Sequence, residues 1–333
     1  MTMPPMPNLR VFKVFDLDPL CHNDDISLLL LKSRKLEELY MHWNPRMRLE
    51  AEACAGMITY FGKCVQAGYK MKLRKLTVQN YYGPSDDNFL QATDAAQLTE
   101  GHFFDNFGGA KGAQTNAFVD ATWYQDQQYK KEGLHWKIHR TNDLAMYHVE
   151  MLRSFTGMEE CYLVGVNLTD DEGPGLQTPA KSPSWLPGAD MTNLGNEYLD
   201  ALCRNHGKSL EKLLLSNRFL MNNKQVAELT RHCPNLIQLG LALAEDVHWT
   251  TLDIPKVTTL RILETDFMPA PEEHVIMARQ LHEGTQGRLR VLGIGQYFYE
   301  IRKSEDDTTD VFEINYDDIK HLEVFGMDCL GEA

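Results

Sequence analysis

Leu236-Ile237-Gln238-Leu239-Gly240-Leu241 carries an apolar residue at its first, fourth and sixth positions. Because alternate side chains of a β-strand point to opposite faces, positions four and six predict a short strand with one buried face. The same spacing recurs along the chain, and most copies start 21 to 37 residues apart. The other clear copies begin at Leu36, Leu73, Leu210, Leu289 and Ile319, and degenerate copies begin at Leu9, Met158 and Val257.

The segments between these copies show helical spacing and helix boundaries. Asn222 precedes Val226 and Leu229, which have helical spacing, and Pro271 is expected to open a helix that ends at Gly284. A strand followed by a helix at this period is typical of leucine-rich repeats. We therefore predict an α/β fold: a single leucine-rich-repeat solenoid over residues 1–333, with a curved, ribonuclease-inhibitor-like parallel sheet and helices on the convex side.

Two gaps between copies are too long for one repeat. Residues 80–135 are predicted to be an insertion with irregular repeats, and Ala117–Tyr124 and Leu134–Ile138 are candidate strands near or within it. Residues 168–192 are predicted to be a proline-rich loop, because proline cannot join a central strand ladder. The copy that begins at Ile319 predicts a final strand.

The composition excludes several classes of function. The formal net charge is −14, with 47 acidic against 33 basic side chains, whereas nucleic-acid binding needs clustered Lys and Arg. No apolar run approaches the roughly 20 residues that cross a bilayer, and the N-terminus lacks the features of a signal peptide. The seven cysteines form no Cys-x-x-Cys pair, which is typical of reduced thiols. We expect a cytoplasmic or nuclear protein that binds neither nucleic acid nor membrane.

Side chains between the apolar positions of each strand point away from the core and line the predicted concave face. In the N-terminal half they are aromatic or hydrogen-bonding, and such residues dominate binding hot spots. In the C-terminal half they are small, so a close-packed segment can fit there. The alternative is that insertions cover these positions and make them core. The predicted partner-binding residues are Lys13, Phe15, Tyr40, His42, Trp43, Gln79, Tyr162 and Arg261.

Arg231-His232-Cys233-Pro234-Asn235-Leu236 joins a helix to a strand through Cys-Pro-x-Leu. This join resembles the cysteine-containing leucine-rich repeats of F-box proteins, and the irregular repeats and insertions resemble the fungal members most. The resemblance covers nearly all of the chain outside 80–135 and 168–192. It implies non-catalytic recognition of a protein substrate for a cullin-based ubiquitin ligase, whose components dock on a separate F-box. No F-box precedes the first repeat, so ligase components are expected as partners only if an F-box exists upstream.

Two alternatives stay open. Val14-Phe15-Asp16-Leu17-Asp18 resembles the first motif of haloacid-dehalogenase-type phosphatases, which implies a phosphohydrolase that uses Asp16 and Asp18. That family expects a Gly-Thr-like pair next, and this chain has Pro19-Leu20 instead. The other alternative is a structural repeat scaffold that binds nothing specific.

No sequence motif indicates a metal or a cofactor. Gly108-Gly109-Ala110-Lys111-Gly112 does not fit the Gly-x4-Gly-Lys-Ser/Thr pattern of phosphate-binding loops. The pair His135 and His139 lacks further ligands at metal-binding spacing. We therefore expect no catalytic residue, no metal and no cofactor.

Overall fold

The computed structural model describes residues 4–18, 21–44, 56–81, 88–104, 133–142, 144, 146–164, 191–249, 252–266, 268–303 and 308–326. These residues form an α/β protein with thirteen strands, most of which pair in parallel. The chain forms two compact units. Unit 1 is Met1–Thr156 with Val166–Pro187, and unit 2 is Gly157–Gly165 with Gly188–Ala333.

Unit 1 contains five parallel strands in chain order, β1 to β5. Its first three helices lie side by side in the same order, α1 against α2 and α2 against α3. The elements are β1 (Val11–Leu17), α1 (Asn23–Lys32), β2 (Glu38–Trp43), α2 (Met57–Gln66), β3 (Lys75–Gln79), α3 (Asn88–Ala92), β4 (Glu100–Phe104), β5 (Ile138–Thr141) and α4 (Met146–Arg153).

Unit 2 begins in the same way and ends differently. Its strands follow the order β6-β7-β9-β10-β11-β12-β13, parallel as far as β11 and antiparallel thereafter, while β8 pairs separately with β9. The elements are β6 (Glu160–Leu163), α5 (Met191–Ala201) continued by a π-helical turn (Leu202–His206), β7 (Lys212–Leu214), β8 (Leu220–Met221), α6 (Asn223–His232), β9 (Gln238–Leu243), β10 (Thr259–Ile262), a 3-10 turn (Pro271–Glu273) leading into α7 (His274–Gly284), β11 (Val291–Ile294), β12 (Tyr297–Lys303), β13 (Thr309–Ile314) and α8 (Tyr316–Ile319).

The apolar positions of neighbouring repeats stack in register within each unit. In unit 1, Leu39 lies opposite Leu76. In unit 2, Leu239 lies between Leu213 and Leu260, and Leu260 lies opposite Leu292. All of these leucines are buried. The predicted stacking of the recurring apolar positions as neighbouring parallel strands is therefore confirmed inside both units.

The entrance to each strand also repeats, through a shared backbone acceptor. Two consecutive amides donate to one carbonyl of the preceding repeat, so that Arg74 and Lys75 both donate to Glu37 O. The same pair of bonds occurs at eight strand entrances. The acceptors are Arg10, Glu37, Arg74 and Thr99 in unit 1 and Glu159, Glu211, Ile237 and Thr258 in unit 2. Equivalent backbone geometry shows that these copies are structural repeats as well as sequence repeats.

The helices pack on the sheet face that carries the stacked apolar residues. The ring of Trp43 in β2 meets Tyr60 of α2 edge-on at a centroid distance of 5.7 Å. His139 in β5 contacts His148 of α4, with ring centroids 6.3 Å apart. We call this the helix face. The opposite side, reached by the alternate side chains of each strand, we call the front face.

β4 lies inside the range 80–135, which the sequence predicted as an insertion, and its repeat is Leu98-Thr99-Glu100-Gly101-His102-Phe103. A glycine replaces the usual leucine at position four. The ring of Trp136, which enters β5, fills that space: a Cβ added to Gly101 would lie 2.8 to 2.9 Å from three atoms of the Trp136 ring. Two neighbouring repeats thus exchange a large and a small residue and keep the core filled.

The structure confirms two of the predicted helices and shifts one of the predicted strands. The helix predicted after Asn222 is confirmed, and the structure shows that Asn222 caps it: Asn222 Oδ1 accepts from Gln225 N, and Gln225 Oε1 accepts from Asn222 N. The helix opened by Pro271 is also confirmed. The candidate strand Leu134–Ile138 is displaced, since β5 starts at Ile138. The candidate strand Ala117–Tyr124 lies outside the described residues, as does the proline-rich loop up to residue 190.

The predicted strand that begins at Ile319 is wrong. Tyr316–Ile319 is one turn of helix, capped by a box between Asn315 and Asp318. Turns follow as far as Gly326. The antiparallel strands β12 and β13 occupy the positions beyond β11 in the sheet, so a further parallel strand has no place there.

Candidate functional site

Five of the predicted partner-binding residues lie together on the front face of unit 1. Lys13 lies opposite Tyr40 across the β1–β2 pair, and His42 lies opposite Gln79 across the β2–β3 pair. The Phe15 ring lies 4.9 Å from the Tyr40 ring and is 45% exposed. We call Lys13, Phe15, Tyr40 and His42 the aromatic patch, since all four side chains reach solvent.

Buried polar groups hold the aromatic patch in place. The Tyr40 hydroxyl donates to Gln79 Oε1 at 2.6 Å, and Gln79 itself is buried. Asn80 Nδ2 lies 3.2 Å from His42 Nε2. Burial raises the pKa of Tyr40, so its hydroxyl keeps the proton that it donates. An aromatic residue fixed before binding loses little conformational entropy when a partner arrives.

A carboxylate beside the patch influences His42. Burial lowers the pKa of His42, and the negative charge of Asp16 opposes that shift. Asp16 accepts a hydrogen bond from Asn44 Nδ2 at 2.6 Å and has a left-handed backbone, with φ of 54°. The patch therefore combines an apolar centre with an acidic neighbour.

Trp43 does not join the patch. Its side chain points to the helix face, is fully buried, and donates from Nε1 to the Tyr60 hydroxyl at 3.1 Å. Its ring also contacts Tyr81 edge-on at 5.0 Å. Leu39 and Met41 point to the helix face, and the alternation of side chains along β2 predicts that Trp43 points to the same face.

His102 is a front-face residue that the sequence analysis missed, because β4 was not recognised. It lies opposite Thr77 on one side and Arg140 on the other. Burial lowers the pKa of His102 well below its ordinary value, and the nearby positive groups Arg140 and Lys75 lower it further. The ring is therefore neutral at physiological pH. The spacing of Leu98, Gly101 and Phe103 is the signal that would have located this residue.

Tyr162 and Arg261 lie on the front face of unit 2, and both are buried. The Tyr162 hydroxyl donates to Glu160 Oε2 at 2.8 Å. Arg261 Nη1 donates to the backbone carbonyl of Val324 at 2.9 Å. That carbonyl belongs to residues 315–326, which we call the C-terminal segment. The segment lies on the front face of unit 2, at the small residues for which the sequence predicted a close-packed neighbour.

Within the described ranges, no group of three or more His, Cys, Asp or Glu residues could hold a metal ion. The strands of unit 1 follow chain order without the reversal that creates a binding crevice in doubly wound sheets. Asp16 lies in β1, the first strand of this order, and Asp18 follows that strand. Among the helices searched, none is long and apolar enough to cross a membrane.

Comparisons with known proteins add no identification. No protein-family model matches the sequence, and a search of curated proteins found no match.

Proposed function

We propose that this chain is a leucine-rich-repeat solenoid that recognises a protein partner without catalysis, through the aromatic patch of unit 1. The observation that carries the proposal is the exposed Phe15 ring in tilted contact with Tyr40, which Gln79 holds by a 2.6 Å hydrogen bond. A rigid, partly exposed aromatic pair with a polar tip is the residue arrangement that supplies most binding energy in protein interfaces.

The repeat geometry supports the solenoid part of the proposal. Parallel strands in chain order, helices that neighbour each other in the same order, and a shared acceptor at each strand entrance are all features of stacked repeats. Such repeats commonly present their alternate strand side chains to a partner. Lys13, Phe15, Tyr40 and His42 occupy those positions in β1 and β2.

We further propose that the recognised protein is a substrate of an F-box-type ubiquitin ligase. The Cys233-Pro234-Asn235-Leu236 join, at the end of α6 and ahead of β9, supports this assignment by its resemblance to F-box repeat proteins. Ligase components would bind through an F-box module and not through the aromatic patch. Recovery of a cullin adaptor together with the substrate tests the ligase role separately from substrate recognition.

The test is quantitative affinity purification with mass spectrometry, using the full chain as bait. Phe15→Ala combined with Tyr40→Ala removes the aromatic pair. Leu28→Ala, an exposed apolar residue of α1, is the matched control. We expect at least one protein to be recovered with the wild type and the control and to be reduced by roughly 30-fold with the double variant, since hot spots contribute about 2 kcal/mol or more.

Circular dichroism and the urea midpoint verify that the double variant is folded. If no protein distinguishes the double variant from Leu28→Ala, the aromatic patch is not the recognition surface and the proposal fails.

A further inference from the structure

The C-terminal segment, residues 315–326, packs against the front face of unit 2. Val324 and Phe325 are buried although they lie beyond the last helix. The segment forms a turn in which the amides of Phe325 and Gly326 both donate to Leu322 O. Tyr316 donates from its hydroxyl to Phe325 O at 3.0 Å, which fixes the turn internally. The segment thus presents Glu323, Val324 and Phe325 to the sheet.

The front face binds the acidic residue of this turn through a charge cluster. Lys212 Nζ lies 2.6 Å from Glu323 Oε1 and 3.0 Å from Glu160 Oε1. Gln238 Nε2 donates to Glu323 Oε2 at 3.2 Å. Burial raises the pKa of Glu323, but the hydrogen bonds from Lys212, Gln238 and the backbone, together with the Lys212 charge, outweigh burial and leave the pKa below its ordinary value. Glu323 is therefore an anion in the docked segment.

A second set of contacts binds the backbone and the aromatic ring. Arg261 donates to Val324 O at 2.9 Å, and its guanidinium lies 5.6 Å from the centre of the Phe325 ring. Gly293 provides the space for that ring, since a Cβ there would lie 2.5 Å from Phe325 Cε1. Phe298 meets the same ring edge-on at 5.7 Å. Front-face residues thus hold the Glu323 carboxylate, the Val324 carbonyl and the Phe325 ring, and Arg261 contacts both the carbonyl and the ring.

No described residue of the docked segment or of the front face donates to Gln238 Oε1. Gln238 is 8% exposed, and its Nε2 donates to Glu323. A buried acceptor without a donor costs free energy, so the segment is an incomplete ligand for this face. The face also does not depend on Glu323 for charge balance, because Lys212 keeps its pairing with Glu160.

We propose that the front face of unit 2 is a peptide-binding surface, which the C-terminal segment occupies until a partner replaces it. The partner is a protein segment in a tight turn that carries an acidic residue, any residue and then an aromatic one, with a further N–H that reaches Gln238 Oε1. This inference builds on the proposed recognition function but uses a different unit and different residues.

The experiment measures whether the vacated face binds such a peptide. The probe is a fluorescently labelled peptide with the sequence of residues 315–326, and fluorescence anisotropy gives its affinity for the purified full chain. Phe325→Ala weakens docking of the chain's own segment. The matched control is Phe312→Ala, which removes an aromatic ring of β13 that is 47% exposed.

We expect the peptide to bind the Phe325→Ala chain at least about tenfold more tightly than the Phe312→Ala chain, because a tethered competitor acts at millimolar effective concentration. A peptide that carries Glu323→Lys should lose this binding, and so should a receptor that combines Phe325→Ala with Lys212→Gln. Equal affinity for both chains, or binding that survives Glu323→Lys, would overturn the inference.

A second variant covers the case in which Phe325→Ala prevents folding. Glu323→Gln removes one charge from a side chain that is 33% exposed and leaves the buried ring in place. It should also increase peptide binding over Phe312→Ala, by a smaller factor. Because the assay uses purified components and unit 2 residues, its failure would leave the capture experiment on the aromatic patch unaffected, and the reverse also holds.

Discussion

Truncation of Leu239 to alanine tests whether the stacked leucines hold unit 2 together. Leu239 is fully buried between Leu213 and Leu260 of the neighbouring strands. Ile237 lies two residues earlier, at the entrance to the same strand, and is 38% exposed. The two residues have the same number of side-chain carbons, so Ile237→Ala is a matched control that differs mainly in burial.

The expected magnitude follows from burial. Removal of the Leu239 side chain forfeits its transfer free energy and leaves a cavity that rigid strands on both sides cannot close, which together cost about 2–5 kcal/mol. Ile237→Ala should cost less than about 1 kcal/mol, because its side chain is already partly hydrated. The difference between the variants should be at least about 2 kcal/mol in the free energy of unfolding.

Urea unfolding, followed by circular dichroism, gives this difference as a shift of the midpoint at constant slope. Equal losses for the two variants, or a loss below about 1 kcal/mol for Leu239→Ala, would refute the reasoning that the in-register leucines form the core.

Two further predictions concern buried polar groups of unit 1. Trp43→Phe should lower the free energy of unfolding by about 1–3 kcal/mol, because the buried Tyr60 hydroxyl loses its indole donor; a double-mutant cycle with Tyr60→Phe, read by urea unfolding, should show coupling, and strict additivity would contradict the bond. The pKa of His102 in the folded chain lies well below 6.5. As the pH falls through 6.5, His102 therefore binds a proton in the unfolded chain but not in the folded chain. Stability should therefore fall by up to about 1.4 kcal/mol per pH unit more in the wild type than in His102→Gln, and parallel pH profiles of the urea midpoint would rule this out.

Repeat prediction succeeded at five copies whose three recurring positions are all large and apolar. The copies at Leu36, Leu73, Leu210, Leu236 and Leu289 each precede a parallel strand in the structure. It failed at β4 because Gly101 breaks the pattern, and the compensating Trp136 lies 35 residues further along the chain. A local pattern cannot register a core position that a distant residue fills.

The strand predicted from Ile319 is wrong for a related reason. Ile319, Leu322 and Val324 have the spacing of a strand, but Asp318 and Asn315 form a helix cap at its start. The strands β12 and β13 then take the sheet positions that this copy would need. The sequence pattern predicts which residues are buried. Whether they are buried as a strand or as a helix and turn depends on which segment pairs with the edge of the sheet.

The residues of the candidate site also fall into two groups, those whose placement follows from local alternation and those whose contacts depend on the fold. Alternation in β1 and β2 correctly predicts that Lys13, Phe15, Tyr40 and His42 share the front face. The sequence also predicted that small residues on this face of the C-terminal half leave room for a close-packed segment, and Gly293 is one of them. It did not reveal that the neighbour is Phe325, because that contact joins residues brought together only by the fold.

The sequence by itself determined the succession of strands and helices, and which side of each strand enters the core, because both follow from spacing within a few residues. Tertiary structure decided which front-face residues stay exposed. Phe15 keeps its contact with solvent, whereas Arg261 is covered by Val324 and Phe325. The physical reason is that burial on this face depends on segments far along the chain, whose docking rests on charge pairing and shape at the place where they meet.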